Sequence, residues 1–195
     1  MADQFDSAYL EGSPPWDIGR AQPELVKLAE AGRITGRVIE IGCGTGENAL
    51  YIARLGLDVV GVDGSPEAIR QARDKANTRG ISMQFDVADV LDLGGFRESF
   101  DTATDSGVFH VFDDKDRPRY ERSVRGALRP SGHLFLLCFS ERQPGDWGPR
   151  RVTQEELRET FSDGWHVDSI DEAHLATNLD DAPQVEAWLA ALTRL

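Results

Sequence analysis

From residue 37 onward, short runs of apolar residues alternate with amphipathic segments. Runs typical of buried strands lie at 38–41, 58–62, 82–86, 100–105, 133–139 and 165–170. Apolar residues three and four positions apart, or helix-start residues, predict helices at 24–31, 47–55, 66–77, 117–128 and 154–161. Because strands and helices alternate along the chain, the strands are expected to pair in parallel through right-handed crossovers. The pattern therefore predicts an α/β fold, a doubly wound and mostly parallel sheet with helices on both faces.

The two ends of the chain fit this alternation less well. Residues 1–22 contain many turn formers, among them Pro14 and Pro15, and predict an irregular arm ahead of a core at 37–195. Near the other end, four apolar residues are spaced as on a helix: Val185, Trp188, Leu189 and Leu192. With 195 residues the chain is long enough for a single domain over 1–195 with a sizeable core.

Composition narrows the function classes. The chain has 34 acidic and 21 basic residues, a net charge of −13, and no basic patch, so we expect no nucleic-acid partner. No apolar run approaches the ~20 residues that cross a bilayer, so we expect no membrane partner. Cys43 and Cys138 lie in apolar runs and are expected to be reduced core residues of a cytoplasmic protein. No Cys or His spacing is typical of a metal site, and a monomer or a homodimer is expected.

The glycine-rich turn from Glu40 to Gly46 carries the main chemical signal. It joins a buried strand to a helix, and glycine lets the backbone turn tightly and a ligand approach closely. A dinucleotide turn would need Gly-x-Gly-x-x-Gly, but here the third glycine comes one residue early and Glu47 occupies its position. No Walker lysine follows. Glu40 favours a ligand with a positive amine and no phosphate.

Two further acidic signals follow along the chain. Asp63 ends the next strand, where a carboxylate can accept hydrogen bonds from two ribose hydroxyls. Asp89 lies beyond the third strand, where an acid can accept a hydrogen bond from an adenine amine. The plainer alternatives are that the glycine turn is a simple connection, that Asp63 is a polar strand end, and that Asp89 belongs to a solvated acidic loop.

The order and spacing of these motifs between Val38 and Phe139 resemble class I S-adenosylmethionine-dependent methyltransferases. The resemblance implies a seven-stranded Rossmann-like sheet, with S-adenosylmethionine as cofactor and S-adenosylhomocysteine as product. It also implies a cofactor site formed by Glu40, Gly42, Cys43, Gly44 and Gly46 around the methionine part, Asp63 at the ribose, Gly64, Asp89 and Val90 at the adenine, and Asp105. Gly64 replaces the bulkier apolar residue that is often found in this family.

A narrower resemblance covers more of the chain. The segments 9–23, 105–112 and 145–151 are similar to the thiopurine and tellurite methyltransferases, and above all to mycobacterial heterocyclic toxin methyltransferases. This similarity implies an N-terminal lid, an aromatic heterocycle that is methylated on oxygen or nitrogen, and a final antiparallel strand near Trp188 in place of a helix. Residues expected near the cofactor and acceptor are Trp16, Phe109, Phe112 and Trp147.

Two residues are candidates for proton transfer, His110 after the fourth strand and Asp17 in the arm. Each has a structural alternative: His110 can be hydrogen-bonded within the fold, and Asp17 can form an ion pair with Arg20. Trp16 can equally anchor the arm. An acceptor that is already an anion needs no base, so we expect the positioning of acceptor and methyl group to dominate. Other functions left open are a non-catalytic S-adenosylmethionine-binding protein, an NAD enzyme, and a methyltransferase for sulfur, tellurium or macromolecules.

Overall fold

The structure, a computed structural model, describes residues 2–195, with side chains from Phe5 onward. Its strands are β1 (Arg37–Ile41), β2 (Asp58–Asp63), β3 (Gln84–Val87), β4 (Phe100–Ser106), β5 (Leu128–Phe139), β6 (Trp165–Ala176) and β7 (Gln184–Arg194). Its α-helices are α1 (Ala2–Glu11), α2 (Pro23–Glu30), α3 (Glu47–Arg54), α4 (Pro66–Arg79), α5 (Arg117–Ala127) and α6 (Gln154–Thr160). Single 3₁₀ turns lie at Gly94–Phe96 and Phe109–Val111.

The seven strands form one sheet in the order β3-β2-β1-β4-β5-β7-β6. The five strands from β3 to β5 are parallel, and β7 runs antiparallel to both β5 and β6. The chain order reverses between β1 and β4, so the carboxyl ends of these strands open a crevice, which is where ligands bind in open α/β sheets. The predicted seven-stranded, mostly parallel sheet is confirmed.

Alternate residues of the central strands pack on opposite faces of the sheet, as the pleat requires. Val38 and Val59 lie in the cluster that includes apolar residues of α2, α3 and α4. Ile39 and Val60 point the other way, into the cluster that includes residues of α5 and α6. Both faces are therefore covered by helices, and this accounts for the near-continuous apolar runs in β1 and β2.

The N-terminal arm differs from its prediction. Residues 2–11 form helix α1, and only the segment after it is irregular. Asp6 in α1 accepts hydrogen bonds from the Ser65 hydroxyl at 2.6 Å and the Glu67 amide at 3.0 Å, at the start of α4. The helix is thus stabilised by a tertiary contact near the crevice. No local pattern in residues 2–11 predicts this contact.

The C-terminal segment is strand β7, as the family resemblance implied and against its helical spacing. It pairs with β5 from His133 to Phe139 and with β6 along nearly its whole length. A strand buried on both faces carries apolar residues on each side, which mimics helical spacing. No helix within the described residues is long and apolar enough to span a membrane.

Candidate functional site

The glycine turn forms the floor of a crevice at the carboxyl end of β1. Gly42, Gly44 and Gly46 have φ of +61°, +52° and +88°, a backbone region that favours glycine. A Cβ on Gly42 would lie 2.0 Å from Val108 Cγ2, and one on Gly44 would lie 2.7 Å from the Tyr9 hydroxyl oxygen. The turn therefore needs glycine at both positions, and it leaves bare backbone facing the crevice.

Asp63, at the end of β2, is bound to the same turn. Its Oδ2 accepts a hydrogen bond from the Gly44 amide at 2.8 Å, and its Oδ1 accepts one from the Ser65 amide at 2.8 Å. Partial burial raises the pKa of Asp63, while the two backbone hydrogen bonds oppose that rise. Each carboxylate oxygen keeps a second lone pair, so both can still accept hydrogen bonds from ribose hydroxyls.

Glu40 lies beneath the turn and is almost fully buried. It accepts hydrogen bonds from Asn48 Nδ2 at 2.9 Å and from the Thr104 hydroxyl. Burial raises its pKa to about 8, more than these two hydrogen bonds lower it. Asn48 in turn accepts a hydrogen bond from the Gln22 amide, so the acid is connected to the arm.

At the end of β4, the side chain of Asp105 is hydrogen-bonded within the described part of the protein, whereas that of its neighbour Ser106 is not. Asp105 is buried and accepts hydrogen bonds from Tyr120 and from the amides of Val108 and Phe109. Burial raises its pKa to about 6. Ser106 lines the crevice, and its buried hydroxyl oxygen has no hydrogen-bond partner among the described residues. Asp105 is thus occupied in holding the turn at 107–109, while Ser106 offers a free polar group at the ligand space.

The arm crosses the mouth of the crevice. Trp16 is 42% exposed and donates a hydrogen bond from Nε1 to the Tyr9 hydroxyl at 2.9 Å. Asp17 Oδ2 accepts a hydrogen bond from the Thr45 hydroxyl at 2.9 Å, and no ion pair joins Asp17 to Arg20 in the described part of the chain. Trp16 therefore both anchors the arm and lines the crevice, and Asp17 is held at its edge.

The residues expected near the adenine lie farther along the same edge. Gly64 follows Asp63 directly and is partly buried. Asp89 is exposed and accepts a hydrogen bond from the Leu91 amide at 2.9 Å, while Val90 is buried in the core beneath it. Cys43 is also buried; it lines the crevice and its sulfur contacts the neighbouring backbone.

The aromatic residues expected around the acceptor separate into two groups. Phe109 and Phe112 are buried against Tyr120, and neither ring lines the crevice. Trp147 is 40% exposed and packs edge-on against Phe139, with ring centroids 6.2 Å apart. Its ring is therefore available to a ligand, while the first two support the core.

His110, on the turn after β4, is buried beside Phe139. Its Nδ1 accepts a hydrogen bond from the Phe139 amide at 3.1 Å. Burial, with a smaller contribution from the nearby cations Arg117 and Arg151, lowers its pKa to about 3. The imidazole is therefore neutral at physiological pH.

Several residues at the site escaped sequence reasoning. Tyr9 and Ser106 lie in segments of the family resemblance and Thr45 lies in the glycine turn, but none of them was assigned a role, and Asn48 lies in no motif. Tyr9 reaches the turn because helix α1 docks against α4, a long-range contact. Within residues 2–195, no group of three or more His, Cys, Asp or Glu side chains is arranged to hold a metal ion.

Comparison with known proteins assigns the family. A model described as a methyltransferase domain matches residues 38–132. The chain is also 38% identical over 190 residues to the 2-heptyl-1-hydroxyquinolin-4(1H)-one methyltransferase of Mycobacteroides abscessus, across 92% of this chain and 84% of that protein. The chain belongs to the S-adenosylmethionine-dependent methyltransferases. The resemblance to mycobacterial heterocyclic methyltransferases is confirmed.

Solved structures place this methyltransferase in the same fold. One, from work on the conversion of a disulfide bond into a thioacetal group during echinomycin biosynthesis, matches with a TM-score of 0.92 and 38% identity over 100% of this chain and 93% of that one. The Burkholderia thailandensis 1,6-didemethyltoxoflavin-N1-methyltransferase matches with a TM-score of 0.78 over 99% of this chain and 86% of that one. At 22% identity the second likeness shows the fold alone.

The crevice of this methyltransferase fits its cofactor. The free Ser106 hydroxyl and the bare backbone of the glycine turn offer hydrogen-bonding groups without side-chain obstruction. The acids Glu40 and Asp63 lie beside the crevice and suit an amine and a ribose, and Arg20 is the basic residue in its lining. This donor set matches a ligand with an amino-acid tail and a nucleoside, which is the chemistry of S-adenosylmethionine.

Proposed function

We propose that this methyltransferase transfers the methyl group of S-adenosylmethionine to an oxygen or ring nitrogen of a small aromatic heterocycle. The observation that carries the proposal is the 38% identity, over nearly the whole chain, to an enzyme named for a hydroxyquinolinone acceptor. An aromatic pair, Phe139 and Trp147, lies at the carboxyl end of β5 and supports a flat acceptor.

The cofactor site is proposed to consist of the glycine turn with Glu40, Asp63 and Ser106, closed from above by Tyr9 and Trp16. In this arrangement the turn amides and Glu40 bind the methionine end. Asp63 holds the ribose through its two free lone pairs. Gly64, Asp89 and Val90 remain proposed contacts of the adenine, with Asp89 the most exposed of them.

S-adenosylmethionine supplies an electrophilic methyl group on a positively charged sulfonium. The protein contributes binding and orientation, because charge disappears at sulfur as the acceptor attacks and no strong acid is needed. Holding the reacting atoms in line at about 3–3.5 Å can account for much of the rate acceleration. Asp17 lies near the crevice mouth and is the remaining candidate for taking a proton from a neutral acceptor.

The test is product analysis by mass spectrometry with 2-heptyl-1-hydroxyquinolin-4(1H)-one as acceptor. We expect methylated product and S-adenosylhomocysteine in equal amounts. Trp147→Ala should raise the KM for the acceptor by up to about tenfold, the value of one lost aromatic contact, with cofactor affinity unchanged. Leu55→Ala removes another exposed apolar side chain and should change neither value. Cofactor binding without turnover on any heterocycle would overturn the proposal.

A sulfur acceptor is the second candidate. It is favoured by the TM-score of 0.92 to the structure from echinomycin biosynthesis, whose description concerns a disulfide and a thioacetal. A small aromatic thiol belongs in the same assay. A kcat/KM for the thiol far above that for the heterocycle would favour sulfur chemistry.

We further infer that the enzyme works in the cytoplasm as a monomer or homodimer. Cys43 and Cys138 are buried free thiols, which suits a reducing compartment. Size-exclusion chromatography with light scattering measures the oligomeric state.

A further inference from the structure

The hydrogen bond at His110 Nδ1 determines where the proton on this imidazole is. In a neutral histidine one ring nitrogen accepts and the other carries hydrogen. Because Nδ1 accepts from the Phe139 amide at 3.1 Å, the proton lies on Nε2. His110 therefore presents an N–H donor on its far side, with no basic nitrogen free to take a proton from a substrate.

The Nε2 atom faces the end of β4. It has no hydrogen-bond partner among the described residues, in a side chain that is only 6% exposed. It lies close to Gly107, where an added Cβ would be 3.5 Å from Nε2. Gly107 follows Ser106, whose hydroxyl lines the crevice. The donor thus lies against Gly107, the residue that follows the crevice-lining Ser106.

The charges around His110 favour an anion at that point. The charged groups that act on the imidazole are Arg117 from α5 and Arg151 from the loop before α6. Arg117 is 4% exposed, and its Nε and Nη2 have no hydrogen-bond partner within the described residues. Arg117 Nη1 pairs with Glu156 at 3.0 Å, so Arg151, which forms no ion pair within the described residues, supplies most of the uncompensated positive charge near the neutral donor.

We propose that His110 is a catalytic residue that donates a hydrogen bond from Nε2–H to the anionic atom of the methyl acceptor. In the function proposed above, on which this inference rests, that atom is the ionised oxygen of a hydroxyheterocycle. The hydrogen bond stabilises the anion in the bound state and holds its lone pair towards the methyl group. It replaces the general-base role that the sequence suggested for this residue.

A donor to an anion lowers the pKa of the bound acceptor, and this gives a signature that a structural histidine lacks. The pH dependence of kcat reports ionisation in the enzyme–substrate complex, while that of kcat/KM reports the free species. A stabilisation worth tenfold in ionisation corresponds to one pKa unit. Removal of the donor should therefore shift the inflection in kcat upward by about one pH unit and leave the inflection in kcat/KM unchanged.

Two substitutions at His110 test the roles of Nδ1 and Nε2 separately. His110→Asn keeps an oxygen near the position of Nδ1 for the Phe139 amide and removes the donor. His110→Gln keeps a donor near the position of Nε2 and removes the acceptor. His174→Asn makes the same substitution at a histidine whose side chain is 47% exposed, pairs with Glu186 and does not line the crevice, and it is the control.

The assay measures kcat and kcat/KM against pH with 2-heptyl-1-hydroxyquinolin-4(1H)-one, alongside the melting temperature and the Kd for S-adenosylhomocysteine. We expect His110→Asn to melt like the wild type and show the upward shift, while His110→Gln melts lower and keeps the wild-type inflection. An unshifted His110→Asn, or equal shifts in both variants, overturns the role of His110.

If the wild type methylates only the aromatic thiol, the heterocycle proposal fails and the same variants are tested with that thiol, whose bound thiolate must show the same shift. If neither acceptor reacts, nitrogen-15 NMR spectra of His110 show which ring nitrogen carries the proton. A proton on Nδ1 in place of Nε2 overturns the inference independently of turnover.

Discussion

Replacement of Asp63 by Asn is the sharpest test of the cofactor site. The two carboxylate oxygens of Asp63 accept one backbone N–H each, from Gly44 and Ser65, both at 2.8 Å. An asparagine has one oxygen only, so its NH₂ group must face one of these two N–H donors. The substitution therefore leaves a backbone donor unsatisfied and removes the negative charge that would face the ribose.

The magnitude follows from these two losses. An unsatisfied buried N–H costs about 1–3 kcal/mol, which should appear in the free energy of unfolding. A hydrogen bond to a charged group contributes about 1.5–3 kcal/mol, so the Kd for the cofactor should rise by about 10- to 150-fold. Because Gly44 belongs to the glycine turn, a shift of that turn adds to the loss.

The assay is calorimetric titration of S-adenosylhomocysteine into Asp63→Asn, with urea unfolding measured in parallel. Asp74→Asn is the matched control, since Asp74 pairs with Arg70 on the exposed side of α4 and such pairs contribute little. It should bind the ligand within twofold of the wild type. A folded Asp63→Asn that binds S-adenosylhomocysteine within threefold of the wild type would refute the role of this carboxylate.

Three further predictions concern the turn and the helix ends. Gly42→Ala should lower the free energy of unfolding by about 1–3 kcal/mol and weaken cofactor binding, because its Cβ would meet Val108 at a position with φ of +61°; wild-type melting and affinity would contradict this. Glu40 has its pKa raised to about 8 by burial, so its contribution to stability is fully present below its ordinary value of 4.5 and is lost as pH rises through 8. Glu40→Gln should therefore gain stability relative to the wild type between pH 6 and 9 in urea unfolding, and a constant difference would speak against it. Thr153→Ala removes a capping box shared with Glu156 and should cost about 1 kcal/mol in urea unfolding without changing cofactor affinity; an unchanged unfolding midpoint would count against the cap.

Local signals predicted most of the element types. The Ser65 cap, with proline in the first helical turn, indicated α4, and the structure shows the Ser65 hydroxyl accepting from the Ala68 amide. Element ends were less accurate. Strand β5 begins at Leu128 where a helix was expected to end, and β6 continues to Ala176, six residues beyond its prediction. Long strands are extended by their pairing partner, which the sequence of one strand does not reveal.

The candidate site likewise contains residues that the local sequence predicted and residues that only the fold revealed. The glycine turn and Asp63 were identifiable because glycine at positive φ and a carboxylate at a strand end have few uses in such a sheet. The protonation of His110 was not, because it depends on an amide 29 positions away in the chain. The arm residue Tyr9 was missed because its contact with the turn depends on the docking of α1.

The amino-acid sequence by itself determined the α/β alternation, the glycine turn and the acids that follow it, because each is a matter of local backbone preference and spacing. Only the tertiary structure decided that residues 2–11 form a helix, that β7 is a strand, and that the Ser106 hydroxyl stays free while the Asp105 carboxylate is fully engaged in hydrogen bonds. These properties depend on which distant groups supply hydrogen-bond partners and exclude water, and folding alone brings those groups together.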